Sequence, residues 1–220
     1  MENRKKTVEP NFICITGIVI LFLILECVEN FLPSWKVPII IIKGFTSLIP
    51  FGLALFSTLK YSDYFNVGVT TVLFVYFLGD VLIRINFVAG VISFFIANLL
   101  LAFVFLKIRG FSKSQLILYL FSMVVFLVIL ILLKNKLSTL FYPIMIYSFV
   151  LIFMFVSSLR MNFGIKIASL AFFVSDILLA VGLAGLGNPV LSFFSLGIYY
   201  FSITLFANNI YLRTKIFVNN

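Results

Sequence analysis

The chain has 220 residues, of which 63% are hydrophobic and only 10% charged, with a mean hydropathy of +1.24 and a formal net charge of +9. A soluble domain keeps roughly a quarter of its residues charged, so a water-facing surface is excluded and the class is a polytopic membrane protein. The chain has no histidine, which removes the commonest general base and the commonest zinc ligand; the chemistry expected of it uses no cofactor and no metal.

Eight apolar runs follow one another, near 11–32, 36–58, 65–85, 87–107, 115–133, 139–160, 164–181 and 190–211. Each is close to the roughly 20 residues a helix needs to cross the hydrocarbon core. The backbone must satisfy its own hydrogen bonds in lipid, which forces helices; strands of a membrane barrel would be about half as long and alternate in polarity. The fold class is therefore all-α, a single integral membrane domain over residues 1–220. The first run follows Met1-Glu2-Asn3-Arg4-Lys5-Lys6 as a signal peptide would, but it is long and ends in Glu-Cys-Val-Glu-Asn-Phe-Leu-Pro, so a retained helix is expected. Cys14 and Cys27 share that helix about 20 Å apart, beyond disulfide reach. The connections carry Pro33, Ser62-Asp63, Gly110, Asn135 and Gly187-Asn188-Pro189; short links place sequence neighbours antiparallel.

Eight crossings put both termini on one side. Arg4, Lys5, Lys6, Lys60, Lys107, Arg109, Lys113, Arg160, Lys166, Arg213 and Lys215 fall there, against Lys36, Arg84, Lys134 and Lys136 on the other. By the positive-inside bias the terminal side is cytoplasmic, which expects a multi-pass protein of the cell (inner) membrane. The charge of +9 then belongs to a basic rim beside anionic lipid and requires no nucleic acid.

The third and seventh runs end alike, Phe77-Leu-Gly-Asp80-Val-Leu-Ile and Phe173-Val-Ser-Asp176-Ile-Leu-Leu, 96 positions apart. The pattern suggests a parallel duplication of four helices. Both carboxylates should lie about 8 Å inside the non-terminal face. Glu26 and Lys43 reach the same level on the first two helices, Tyr142 and Tyr147 enter on the sixth, and Asn98, Tyr199 and Tyr200 lie slightly deeper. A charge in a span costs roughly 2.5–3.5 kcal/mol at the bilayer centre, so four ionisable groups at one depth suggest one lined cavity. Plainer readings stand beside this one. Arg84, four residues after Asp80, can pair with it along the helix. Glu26 can snorkel or pair with Lys43, and Asn98 and the tyrosines can serve as glue between helices. Asp176 has no basic neighbour on its own helix face.

Two carboxylates without histidine fit acid–base hydrolysis, in which one keeps a proton and the other stays ionised. An aspartyl intramembrane protease is disfavoured: Phe77 stands at the first glycine position of Gly-x-Gly-Asp, and Ser175 precedes Asp176 in place of tyrosine. Transport on intramembrane carboxylates is the alternative, as is a non-catalytic protein with a structural polar layer.

In order and spacing, Lys43-Gly44, Gly79-Asp80, Phe87, Gly90, Phe94, Tyr147, Met154, Phe172-x-x-Ser175-Asp176 and Tyr199-Tyr200 resemble the YhhN family of eight-helix membrane proteins, the lysoplasmalogenases. The chain departs where that family often has His and Gln, carrying Asn98 and Ile203, and Gly44 where proline is usual. The resemblance implies hydrolysis of the vinyl-ether bond of a lysophospholipid. Together with the polar layer it makes Asp80 and Asp176 the expected catalytic pair, with Lys43, Asn98, Tyr147, Tyr199 and Tyr200 against substrate; Ser175 from the motif, and Glu26 and Arg84 from the layer alone, are expected in support. The sequence leaves the oligomeric state open.

Overall fold

The structure, a computed structural model, describes residues 9–218. Arg4, Lys5 and Lys6, which weigh in the charge asymmetry, lie outside them. The described residues form eight α-helices: α1 Pro10–Phe31, α2 Lys36–Lys60, α3 Tyr64–Ile85, α4 Phe87–Arg109, α5 Lys113–Leu137, α6 Phe141–Ser158, α7 Phe163–Val181 and α8 Pro189–Val218. No strand occurs among them, and the protein is an all-α polytopic membrane protein. The expected spans hold to within a few residues, except that α5 runs on to Leu137 and α8 to Val218. A π turn, Gly182–Leu186, prolongs α7 and ends through Gly185 at φ 74, a left-handed backbone that suits glycine.

Seven helical stretches are long and apolar enough to cross a membrane, one fewer than the runs in the sequence. The difference is one stretch, Lys113–Ser158, whose 46 residues would extend about 69 Å if straight, twice the hydrocarbon core. It is a hairpin. A 3-10 turn, Ser138–Leu140, entered through Ser138 at φ 48, folds α6 back along α5. The start of α1 and the end of α8 meet at one end of the bundle. Lys215 Nζ donates to Glu9 Oε1 at 2.8 Å, Tyr211 donates to Glu9 at 2.6 Å, and Asn11 donates to Asn208 at 3.3 Å.

Helix starts are written into the links. Asp63, Asn86, Ser112, Asn162 and Asn188 each accept a backbone N–H from the first turn of the helix that follows, which satisfies donors that lipid cannot. Asp63 also accepts from Arg213 at 2.5 Å, tying the start of α3 to the end of α8. Gly110 at φ 66 closes α4.

The main helix pairings follow the four-helix offset. Within the first half α3 packs on α4 and on α2, and α2 on α1; within the second α7 packs on α8 and on α6, and α6 on α5. The halves join through α2 on α8 and α6 on α4, which are matching pairs under the four-helix offset. The rings of Tyr76 and Phe172, 96 positions apart like the two aspartates, stack at 4.8 Å. Asp80 and Asp176 stand four residues, one helical turn, beyond the two stacked rings on α3 and α7. Small residues let the helices close. A Cβ on Gly90 would stand 2.4 Å from the Ile83 Cα, so α3 and α4 meet backbone to backbone there.

Candidate active site

A cavity of about 680 Å³ opens between the helices at the end of the bundle away from the termini. All eight helices reach it. Asp80 and Asp176 both line it, as do Glu26, Lys43, Arg84, Tyr147, Ser175 and Tyr199. The rest of the wall is largely apolar, with Phe87, Val91, Phe94, Phe126, Ile144, Leu151 and Leu196 among the lining side chains. A slot with an apolar body and a few convergent polar groups is the usual form of a small-molecule site. Below the carboxylates the rings of Tyr76, Phe94, Phe172 and Tyr199 contact one another with centroids 4.8–5.9 Å apart and form an aromatic floor.

The two carboxylates have different surroundings. Asp80 is 1% exposed. Lys43 Nζ lies 3.5 Å from its Oδ1, and the Tyr199 hydroxyl donates to its Oδ2 at 2.7 Å. Lys43 gets there because α2 lies close to α3 at Gly44, where a Cβ would stand 3.1 Å from Val81 Cγ2. An ion pair this deep holds only while both members are present. Asp176 is half-buried, and no cation pairs with it among the described residues. Its partner is Tyr147, whose hydroxyl donates to Asp176 Oδ2. Behind that bond runs a chain: Asn98 Nδ2 donates to the Tyr147 hydroxyl at 2.9 Å, and the Tyr76 hydroxyl donates to Asn98 Oδ1 at 2.8 Å. Neutral donors in series orient the Asp176 carboxyl without neutralising it.

Several sequence expectations change. Arg84 does not hold Asp80; it pairs with Glu29 of α1. The helix-face spacing is real, but Asp80 turns inward to α2 and α8 while Arg84, one turn nearer the interface, reaches sideways. Glu26 lines the cavity without pairing to Lys43, which Asp80 has taken. Asn98 is fully buried behind the wall rather than on it. Tyr200 is 2% exposed, packs edge-on to Phe22, and has a hydroxyl without a hydrogen-bond partner; it does not line the cavity. Ser175 is a helix latch, since its hydroxyl donates to the Ser195 carbonyl and the Ser195 hydroxyl donates back. Tyr142 is exposed, outside the polar layer. Ile203 is buried in the core. Two residues with no assigned role in the sequence reading join the site, Glu29 on its wall and Tyr76 behind it. Tyr76 was within reach, because it stands four residues before Asp80 on the same helix face. Glu29 offered only its place one turn beyond Glu26.

The profile of the YhhN family matches residues 38–210, from the start of α2 almost to the end of α8. No curated protein and no solved structure matches the chain.

Proposed function

The chain belongs to the YhhN family, and on that premise we propose that it is a membrane hydrolase that cleaves the vinyl-ether bond of lysoplasmalogens. The observation that supports this reading is the pair of carboxylates on one lipid-shaped cavity, one held beside a lysine and the other without a cation. A vinyl ether is hydrolysed by protonation at carbon, which makes an oxocarbenium ion that water then attacks. The chemistry needs an acid and a nearby anion, the pairing that glycosidases use.

Asp176 is the acid. Its carboxyl proton goes to the alkenyl carbon beta to the ether oxygen, whose lone pair closes onto the alpha carbon. Asp80, kept as the anion by Lys43 and Tyr199, faces the positive charge and orients the attacking water. Water adds to the alpha carbon and gives up a proton, which restores Asp176. The hemiacetal then gives its hydroxyl proton up to the glycerol oxygen as the bond between that oxygen and the alpha carbon breaks, leaving a fatty aldehyde and a glycerophospho-amine. Tyr147, Asn98 and Tyr76 hold the acid in position. The aromatic floor fills the bundle beneath the carboxylates, which favours hydrolysis over a proton-coupled transport path toward the terminal side. The alkenyl chain lies along the apolar wall and the headgroup stays near the interface. With the basic end of the bundle in the cytoplasm, as the positive-inside bias implies, the cavity opens toward the outer leaflet of the cell membrane.

The test is release of fatty aldehyde from lysoplasmalogen by the purified protein. Asp80→Asn and Asp176→Asn should each reduce it by about 10²- to 10⁴-fold, the range of acid–base catalysis. Undiminished release by either variant would refute this assignment.

A further inference from the structure

The hydrogen-bond chain behind Asp176 has a direction, and its far end sets that direction. Tyr76 is fully buried, and its hydroxyl has one partner among the described residues, Asn98 Oδ1 at 2.8 Å. A carbonyl oxygen only accepts, so the Tyr76 proton points to it. Asn98 is fully buried too, and its Nδ2 donates to the Tyr147 oxygen at 2.9 Å. The proton of Tyr147 is left for Asp176 Oδ2. Turning the amide over would set Nδ2 against Tyr76 and leave a buried hydroxyl proton without an acceptor. An orphan of that kind disfavours the reversed chain on the order of tenfold or more. Every link therefore donates toward Asp176, starting from a tyrosine that has nowhere else to donate.

We infer that Asn98 and Tyr76 are positioning residues that decide which oxygen of Asp176 carries its proton. On the hydrolase reading, on which this rests, Asp176 is the acid. An acid oxygen that accepts from Tyr147 is the carbonyl oxygen, so the proton is confined to Oδ1. Oδ1 has no protein partner among the described residues, and Asp176 lines the cavity. The acidic proton thus faces the alkenyl carbon and not the protein. The proton that water gives up at the end of the cycle returns to the same oxygen. In the reversed chain Tyr147 would donate to Asn98, and Asp176 would donate from Oδ2 to Tyr147. The carboxyl would then be protonated on its protein side, out of reach of substrate. The amide sets the direction because it has an acceptor at one end and a donor at the other. A carboxylate in its place would accept from both tyrosines, and an apolar side chain would bond neither.

The experiment pairs kinetics with infrared spectra of the full chain in detergent. Asn98→Asp takes the Tyr147 proton away from Asp176, so kcat should fall about a hundredfold while KM stays within about twofold. Asn98→Leu leaves Tyr147 with Asp176 as its acceptor. Its kcat should fall less than about tenfold, although the orphaned Tyr76 hydroxyl lowers the thermal midpoint. Tyr76→Phe frees the amide to turn and should lower kcat severalfold at unchanged KM. In the infrared, the carboxyl band that Asp176→Asn deletes should lie low in the carbonyl range, as for an oxygen that accepts a hydrogen bond. It should rise in Tyr76→Phe, and its place in the parent needs no variant at position 98 to fold. Equal kcat losses in Asn98→Asp and Asn98→Leu, losses carried by KM, or a parent band at the place of a free carbonyl would overturn the assignment. A low band that rises in Tyr76→Phe, without aldehyde release, would remove the hydrolase and leave the direction of the chain standing. Aldehyde release that Asn98→Asp slows no more than Asn98→Leu would do the reverse.

Discussion

Asp80 and Asp176 occupy corresponding places in the two four-helix halves, one turn above a stacked pair of rings, yet their surroundings have diverged. The first half supplies Asp80 with a lysine from α2, and α8 adds a tyrosine donor. The second half supplies Asp176 with a tyrosine from α6, itself backed by Asn98 and Tyr76. One environment fixes a charge and the other fixes an orientation. Two like groups thus stand at matching places on α3 and α7, and their neighbours differ.

The comparison breaks most visibly in a double variant. If the two carboxylates work as one unit, Asp80→Asn/Asp176→Asn should release aldehyde no more slowly than either single variant, all near 10²- to 10⁴-fold below the parent. Multiplying losses, read in the same assay, would mean two independent groups. Next in size is the lysine. Lys43→Met leaves Asp80 buried with an uncompensated charge and should cost about 3–5 kcal/mol, seen as a lowered thermal midpoint in detergent. Adding Asp80→Asn should recover much of that loss, whereas Asp176→Asn alone should move the midpoint little, because no cation depends on it. Tyr147→Phe strips Asp176 of its donor and leaves the Asn98 amide without its acceptor. A loss of about 1–3 kcal/mol is expected, larger than that of Tyr199→Phe, after which Asp80 still has Lys43. The smallest effect lies at the other end of the bundle. The Glu9 carboxyl is held below its ordinary value, first by its hydrogen bond from Lys215 and then by that from Tyr211. Its contribution is present above the ordinary value of 4.5 and is lost as pH falls through the lowered one. Lys215→Gln should flatten that slight acid dependence of the midpoint.

The sequence showed the eight helices and the common level of the polar groups because both depend only on counting residues along an apolar run. It showed the candidate pair for the same reason, in the doubled Phe-x-x-Asp. It did not show who meets whom. Arg84 at four residues from Asp80 looked like its partner, but partner choice depends on which faces two helices turn to each other, and the close approach at Gly44 selects Lys43. Asn98 and Ser175 were legible as polar groups at the right level; only the packing tells that one stands behind the wall and the other laces α7 to α8. The hairpin of α5 and α6 read correctly as two spans, because Lys134, Asn135 and Lys136 interrupt the apolar pattern although helix continues through them.

The account turns on a proton passing from a carboxyl to carbon. Hydrolysis of lysoplasmalogen by the purified protein in deuterated water, with the aldehyde trapped as it forms, tests this most directly. The account predicts one deuterium on the carbon next to the aldehyde carbonyl, at a rate that collapses in Asp176→Asn. Aldehyde formed without deuterium at that carbon would contradict it.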